Sequence, residues 1–390
     1  MKDVFNFDLR IKKPIIFIVS FGLLVTIISY FHSPVRFWVN FLINNFYFIS
    51  VSLAGLFLLS LQNITNSSWM RTYQRIPEAM MAFIPYGFGL MLLAFLGHHT
   101  LYEWTHHEAL HDPILIKKAA YLNIPFFLIR LTIYFALWLS ASFLIRKLIN
   151  SWGKDEDKLH AAKLARVSAI TMVVFALSFA FFSYDVLMSI EPHWFSTIYS
   201  VYTFSGLFVS GIAYITLTLI VLRALGYMKD IVNENHFHDL GKWLFGMSTF
   251  WAYIWFCQYL LIWYSNIPEE TVYYILRDKD NWQWLFWSNF AISFLVPFLI
   301  LLKRDSKRSL VSLAISCIII LIGRWIDIYT LVAPKIYEHN KVLAIIGPYE
   351  IISAFMFAGI FTYIFLSYLN NKNLAISEDP YFEEGLHLHQ

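Results

Sequence analysis

Residues Ser183–Gly206 read SYDVLMSIEPHWFSTIYSVYTFSG, and about twenty mostly apolar residues lie on either side, the usual length of a bilayer crossing. The stretch reads as the joint between two membrane helices. Inside it stand Asp185, Glu191 and His193, with no Lys or Arg among them. Ionisable groups in a membrane are costly without a partner, so the joint poses a functional question before anything else is known.

Working outward, the composition agrees with a membrane chain. Of 390 residues 58% are hydrophobic, 19% aromatic and only 14% charged, where a soluble domain carries roughly a quarter charged residues. The net charge of +3 is too small for a nucleic-acid binder. Two cysteines, Cys257 and Cys317, are too few for a disulfide framework, an iron–sulfur cluster or a zinc site made by this chain alone, and no metal is expected. The N-terminal MKDVFNFDLRIKK carries two acids and leads into an apolar run with no small-residue cleavage site, so that run is expected to be a retained first span.

Ten segments are long and apolar enough for spanning helices: about 14–31, 37–61, 79–98, 121–145, 165–189, 196–222, 242–263, 282–302, 310–333 and 345–369. The whole chain reads as one polytopic membrane domain with a tail at 370–390. If the N-terminus is cytoplasmic, 20 of the 29 Lys and Arg fall on its side and seven on the other, with Arg130 and Arg324 inside spans. Cytoplasmic loops retain Lys and Arg, so both termini are expected inside. Gly and Pro breaks (Pro85, Gly87, Gly89, Pro297, Gly359) form no matched pair, which counts against an independent transporter.

Depth follows from counting residues. Asp185 is nineteen residues beyond Arg166, roughly 28 Å along a helix, and so near the outer boundary. Arg324 and Asp327 also fall in the outer half, and their i,i+3 spacing allows mutual neutralisation. Arg130 has no acid in its own span and needs one from another helix or a ligand. Thr171, Ser178 and Asp185 recur every seven residues, either as a hydroxyl line that carries protons or as hydroxyls bonded to their own helix. Glu191 and His193 flank Pro192 and are either loop residues or proton acceptors. The segment LGHHTLYEWTHHEALHDP holds His98, His99, His106, His107 and His111. Helical spacing would put His99, Glu103 and His107 on one face, although docking of an outer partner by Glu103, His106, His107 and His111 suits the segment better than metal binding.

The joint motif, with HHTLYEWTH, HDPILIKKAAYLNIPFFLIR and the ten-span layout, resembles the NrfD/polysulfide-reductase membrane subunits. It is most similar to the second such subunit of alternative complex III, a quinol:cytochrome c oxidoreductase of the bacterial inner membrane. The resemblance implies an all-α fold of two four-helix bundles flanked by an extra helix at each end. It also implies partners: a second NrfD-like subunit, an extracytoplasmic iron–sulfur subunit, c-type cytochromes, and a terminal oxidase. Such a chain would not be catalytic alone. Electrons leave through haem and iron–sulfur groups of the partners, and this chain binds a menaquinol- or ubiquinol-type quinol or moves protons. Quinol-binding candidates are then His98, His99, Arg130 and Asp185. Proton-transfer candidates are Asp185, Glu191, His193, Thr171, Ser178, Arg130, Arg324 and Asp327. The alternative is a scaffold without its own quinol site.

Overall fold

The computed structural model describes residues 4–151, 157–342 and 346–388, and these are helical with no β-strand beyond one isolated bridge, Val4 to Asn373. Among them nine helices are long and apolar enough to cross a membrane. They are α1 (Leu9–His32), α2 (Pro34–Thr65), α3 (Arg75–Leu101), α4 (Ile124–Ile149), α5 (Asp157–Val186), α6 (Tyr199–Ala224), and three more after residue 280. Between them come α7 (Glu234–Ser265) and the short α8 (Pro268–Arg277). The last three are α9 (Trp282–Leu301), α10 (Leu310–His339) and α11 (Pro348–Leu369). The expected span 242–263 lies within α7, which is not among the nine. Its Trp243, Trp251, Trp255, Trp263 and Gln258 dilute its apolar character, although at 32 residues it is as long as α2. The link between the expected spans 121–145 and 165–189 falls partly outside the described residues.

Helix α2 is the central element, buried along the whole of its most apolar stretch. It packs with α3, α4 and α5 on one side and with α6 and α10 on the other, while α6, α7, α9 and α10 pack together. The two extra helices lie side by side: α1 runs along α11. The approach is close, since a Cβ on Gly22 would sit 2.5 Å from the Cβ of Met356. Small residues at a helix contact let backbones approach, which is how membrane helices associate without a hydrophobic driving force.

Local chemistry sets the interruptions. Pro297 has no N–H to give to the carbonyl of residue 293 and its ring would crowd it, and the turn before it, Ala291–Leu295, widens to a π-helix. Helix α5 ends at Val186, and one 3-10 turn (Met188–Ile190) leads into Pro192, so the joint is tight. The Asn123 side chain caps α4 by accepting from the N–H of Phe126 at 3.0 Å.

Both chain ends sit on one face of the molecule. The N–H of Phe5 donates to the carbonyl of Lys372, and Asn371 returns a bond to Phe5. The tail is fastened there by Arg71 to Asp379 at 3.0 Å and by bonds from Asn233 and Asn235 to Leu388. The opposite face carries the histidine-rich segment, the joint and α8.

Candidate functional site: two buried arginine–aspartate centres

Asp185 is buried at 2% exposure, and it is not short of a cation. Arg130 of α4 donates Nε to Oδ2 at 2.8 Å and Nη2 to Oδ1 at 3.0 Å. The Tyr134 hydroxyl, one turn further along α4, adds a bond to Oδ2 at 2.8 Å. Arg130 spends its remaining Nη1 on the carbonyl of Tyr121 at 2.9 Å, and the guanidinium lies 3.8 Å from the Tyr121 ring and 4.3 Å from that of Phe126. Every nitrogen of Arg130 and both oxygens of Asp185 are thus bonded. The expectation of acids without a local cation is corrected: the cation arrives from another helix, 55 residues away in sequence.

The same correction applies to Glu191. It is buried and receives Nη2 of Arg277 at 2.7 Å. Arg277, the last residue of α8, also donates to the carbonyls of Thr330, Tyr273 and Leu331 at 2.8–2.9 Å. Its guanidinium stacks 3.4 Å from the Tyr273 ring, and Tyr273 stacks on Trp194 at 3.9 Å. Arg277 therefore pins the joint, α8 and α10 together. His193 alone of the three is exposed, and its Nε2 meets Asp112 at 2.7 Å. Hydrogen bonding to His193, then to the N–H groups of Ile114 and Leu115, holds the Asp112 carboxyl below the ordinary range.

The second centre lies among α6, α7, α9 and α10. Arg324 and Asp327 pair at 3.0 Å, as their spacing allowed. Asp327 also accepts from the Tyr202 hydroxyl and from Nδ2 of Asn289 at 2.8 Å. Asn289 is held by Ser293 at 2.9 Å, within the turn that Pro297 widens. The Arg324 guanidinium lies 3.7 Å over the Trp251 ring.

Other expectations fare differently. Ser178 donates to the carbonyl of Val174 at 2.7 Å and accepts from Trp138 Nε1 at 2.8 Å, so it is tied into its own helix and α4. Thr171 is buried on the same helix, and Phe182, which lies between Ser178 and Asp185 in sequence, packs against Phe46, Trp138 and Tyr134. Of the two readings of these hydroxyls, Ser178 fits the one in which a hydroxyl bonds its own helix. The histidine segment is not one helix: α3 ends at Leu101, and 3-10 turns follow at Glu103–Thr105 and His107–His111. The helical face His99, Glu103, His107 is therefore absent, and no group of three metal-ligating side chains forms among the described residues. Glu103 pairs with Lys335 at 3.0 Å and sits near His339. His99 and His106 stack at 4.3 Å, while His107 and His111 are exposed. His98 is partly buried; Tyr102 ties this segment to the joint through the carbonyl of Val186 at 3.1 Å.

Sequence reading missed Arg277, Tyr134, Tyr202 and Asn289, and the pair Arg36–Glu350, in which Nε donates to Oε1 at 2.8 Å. Arg277 lies between the expected spans 242–263 and 282–302, where the sequence reading treats it only as one of the seven outer-side cations. Its signal was the strongly amphipathic PEETVYYILR, which a solvated loop does not need. A scan of protein-family models finds none that matches the chain, and no curated protein matches it.

Proposed function

We propose that this chain is an NrfD-like subunit of a bacterial inner-membrane quinol:cytochrome c oxidoreductase of the alternative complex III type. It would cross the membrane ten times with both termini cytoplasmic. Chain ends on one face require an even number of crossings, and nine apolar helices with α7 make ten. The two packed groups of four helices, with α1 and α11 beside them, support this reading, since the family resemblance implies two such bundles.

The observation that carries the reading is the joint itself. Its two acids each enter a separate buried arginine site, Asp185 with Arg130 and Glu191 with Arg277. A simple turn between helices needs no such construction. In this role the chain binds quinol or moves protons near the outer face, and electrons pass to haem and iron–sulfur groups of the partners. An apolar groove of about 180 Å³ between α5 and α6, lined by Phe57, Phe175, Phe179 and Phe204, suits an isoprenoid tail.

One observation favours the scaffold alternative: the ionisable groups of the joint are already paired, so each can serve as a strut. Purification of the native complex on a tag at this chain tests the assignment, since partners carrying haem c must come with it. Asp185→Asn separates the two roles by turnover per assembled complex. If Asp185 moves protons or orders quinol, complexes that assemble lose quinol-driven turnover. If it is a strut, fewer assemble and those are fully active.

A further inference from the structure

The two arginine–aspartate centres differ in one respect. All three nitrogens of Arg130 have protein acceptors, whereas Nε and Nη1 of Arg324 have none among the described residues, although Arg324 is 2% exposed. A buried donor left unmade bears its full desolvation penalty, and more so when charged. Arg324 lines a cavity of about 20 Å³ between α2, α6 and α10, together with Asp327, Ser50 and Ser210. Each of those serines donates to a carbonyl of its own helix, Ser50 to Phe46 at 2.9 Å and Ser210 to Gly206 at 2.7 Å, which leaves its oxygen free to accept. A cavity needs about 10–15 Å³ and two to four polar partners to hold a water.

A second gap of about 10 Å³ lies on the other side of Tyr202, lined by Gln258, Tyr273, Arg277 and Thr330. Nε2 of Gln258 and the hydroxyl of Tyr273 are likewise buried without a partner among the described residues. Leu331 borders both spaces, and the Tyr202–Asp327 contact lies between them.

We propose that two buried waters flank the Tyr202–Asp327 contact, one on Arg324, Ser50 and Ser210 and one on Gln258 and Tyr273. The first of them shares its cavity with Asp327, whereas Asp185 borders neither space. The waters complete a polar line from Glu191 through Arg277 to Ser210. The waters stand on geometry alone; only their use in turnover rests on the function proposed above.

Gly206 supplies the test. A Cβ there would lie 3.3 Å from Arg324 Nη1, on the cavity side, so Gly206→Ala fills the space a water would take while leaving Asp327 its partners. Cryo-electron microscopy of the intact complex, at a resolution that shows ordered water elsewhere in the interior, should reveal density within about 3.2 Å of Arg324 Nη1 or Nε. That density should vanish in Gly206→Ala and weaken in Ser210→Ala, which leaves the cavity open. Density should also lie against Gln258. Absence of both peaks in the native map, or an Arg324 peak unchanged by Gly206→Ala, overturns the proposal. Asp327→Asn and Gly206→Ala should each cut turnover several-fold. Water density with unchanged turnover removes the functional half, and a complex that lacks haem partners removes the assignment above without touching the waters.

Discussion

Arg130 and Asp185 meet through two parallel hydrogen bonds, 2.8 and 3.0 Å, between helices α4 and α5. Removing one member of a buried pair strands the other charge, at a cost of about 3–5 kcal/mol, while replacing both by apolar residues is often neutral. Asp185→Leu and Arg130→Met are each expected to lower thermal stability in detergent sharply. The double variant should recover much of the loss, and simple additivity of the singles would refute the pairing.

Arg277→Lys tests the joint. A lysine keeps the charge but cannot serve four acceptors from one planar fork. Limited proteolysis should then cut near residues 266–281 while the spans resist, and Glu191→Gln should produce the same pattern more weakly. Protection equal to wild type would mean that α8 is held without Arg277.

The contact between His193 and Asp112 carries a pH signature. A carboxyl depressed in the folded state lends stability that is complete above its unfolded value, about 3.9, and lost as pH falls through its folded one. Hydrogen exchange over residues 107–120 should therefore stay slow through neutral and mildly acid pH and quicken only below the ordinary carboxylate range. Asp112→Asn should make it fast throughout. Fast exchange already at neutral pH in the unmodified chain would show that this carboxyl does not hold the segment.

For topology, reporter fusions after Lys307 and in the tail are expected on the cytoplasmic side, and those after His111 and Lys279 outside. Opposite sides for Lys307 and the tail would break the ten-crossing count.

The helical class was legible because hydropathy is a local property, readable twenty residues at a time. The ionisable groups of the expected spans were legible too: Arg130, Asp185, Arg324 and Asp327 all prove to be buried. Pairing was not. The partner of Asp185 lies on α4 and that of Glu191 on α8, and no local pattern announces which arginine crosses to which acid. Only Arg324 and Asp327, neighbours on one helix, could be matched by spacing. The hydroxyls of α5 left two readings open because a seven-residue repeat aligns side chains on a face without saying what each one bonds, and Ser178 bonds its own helix.

Helix α1 makes its main contact with α11, some 320 residues later in the chain. Membrane proteins are threaded into the bilayer as they are made, at roughly 5–20 residues per second, so α1 waits on the order of tens of seconds in lipid for its mate. Residues 4–7, which bond to 370–373, wait with it. The molecule is therefore closed like a clasp, by the last span to emerge. A nascent chain stopped before residue 348 would hold a nearly complete interior and a first helix kept only by its smaller contact with α2, a loose end for quality-control proteases to recognise.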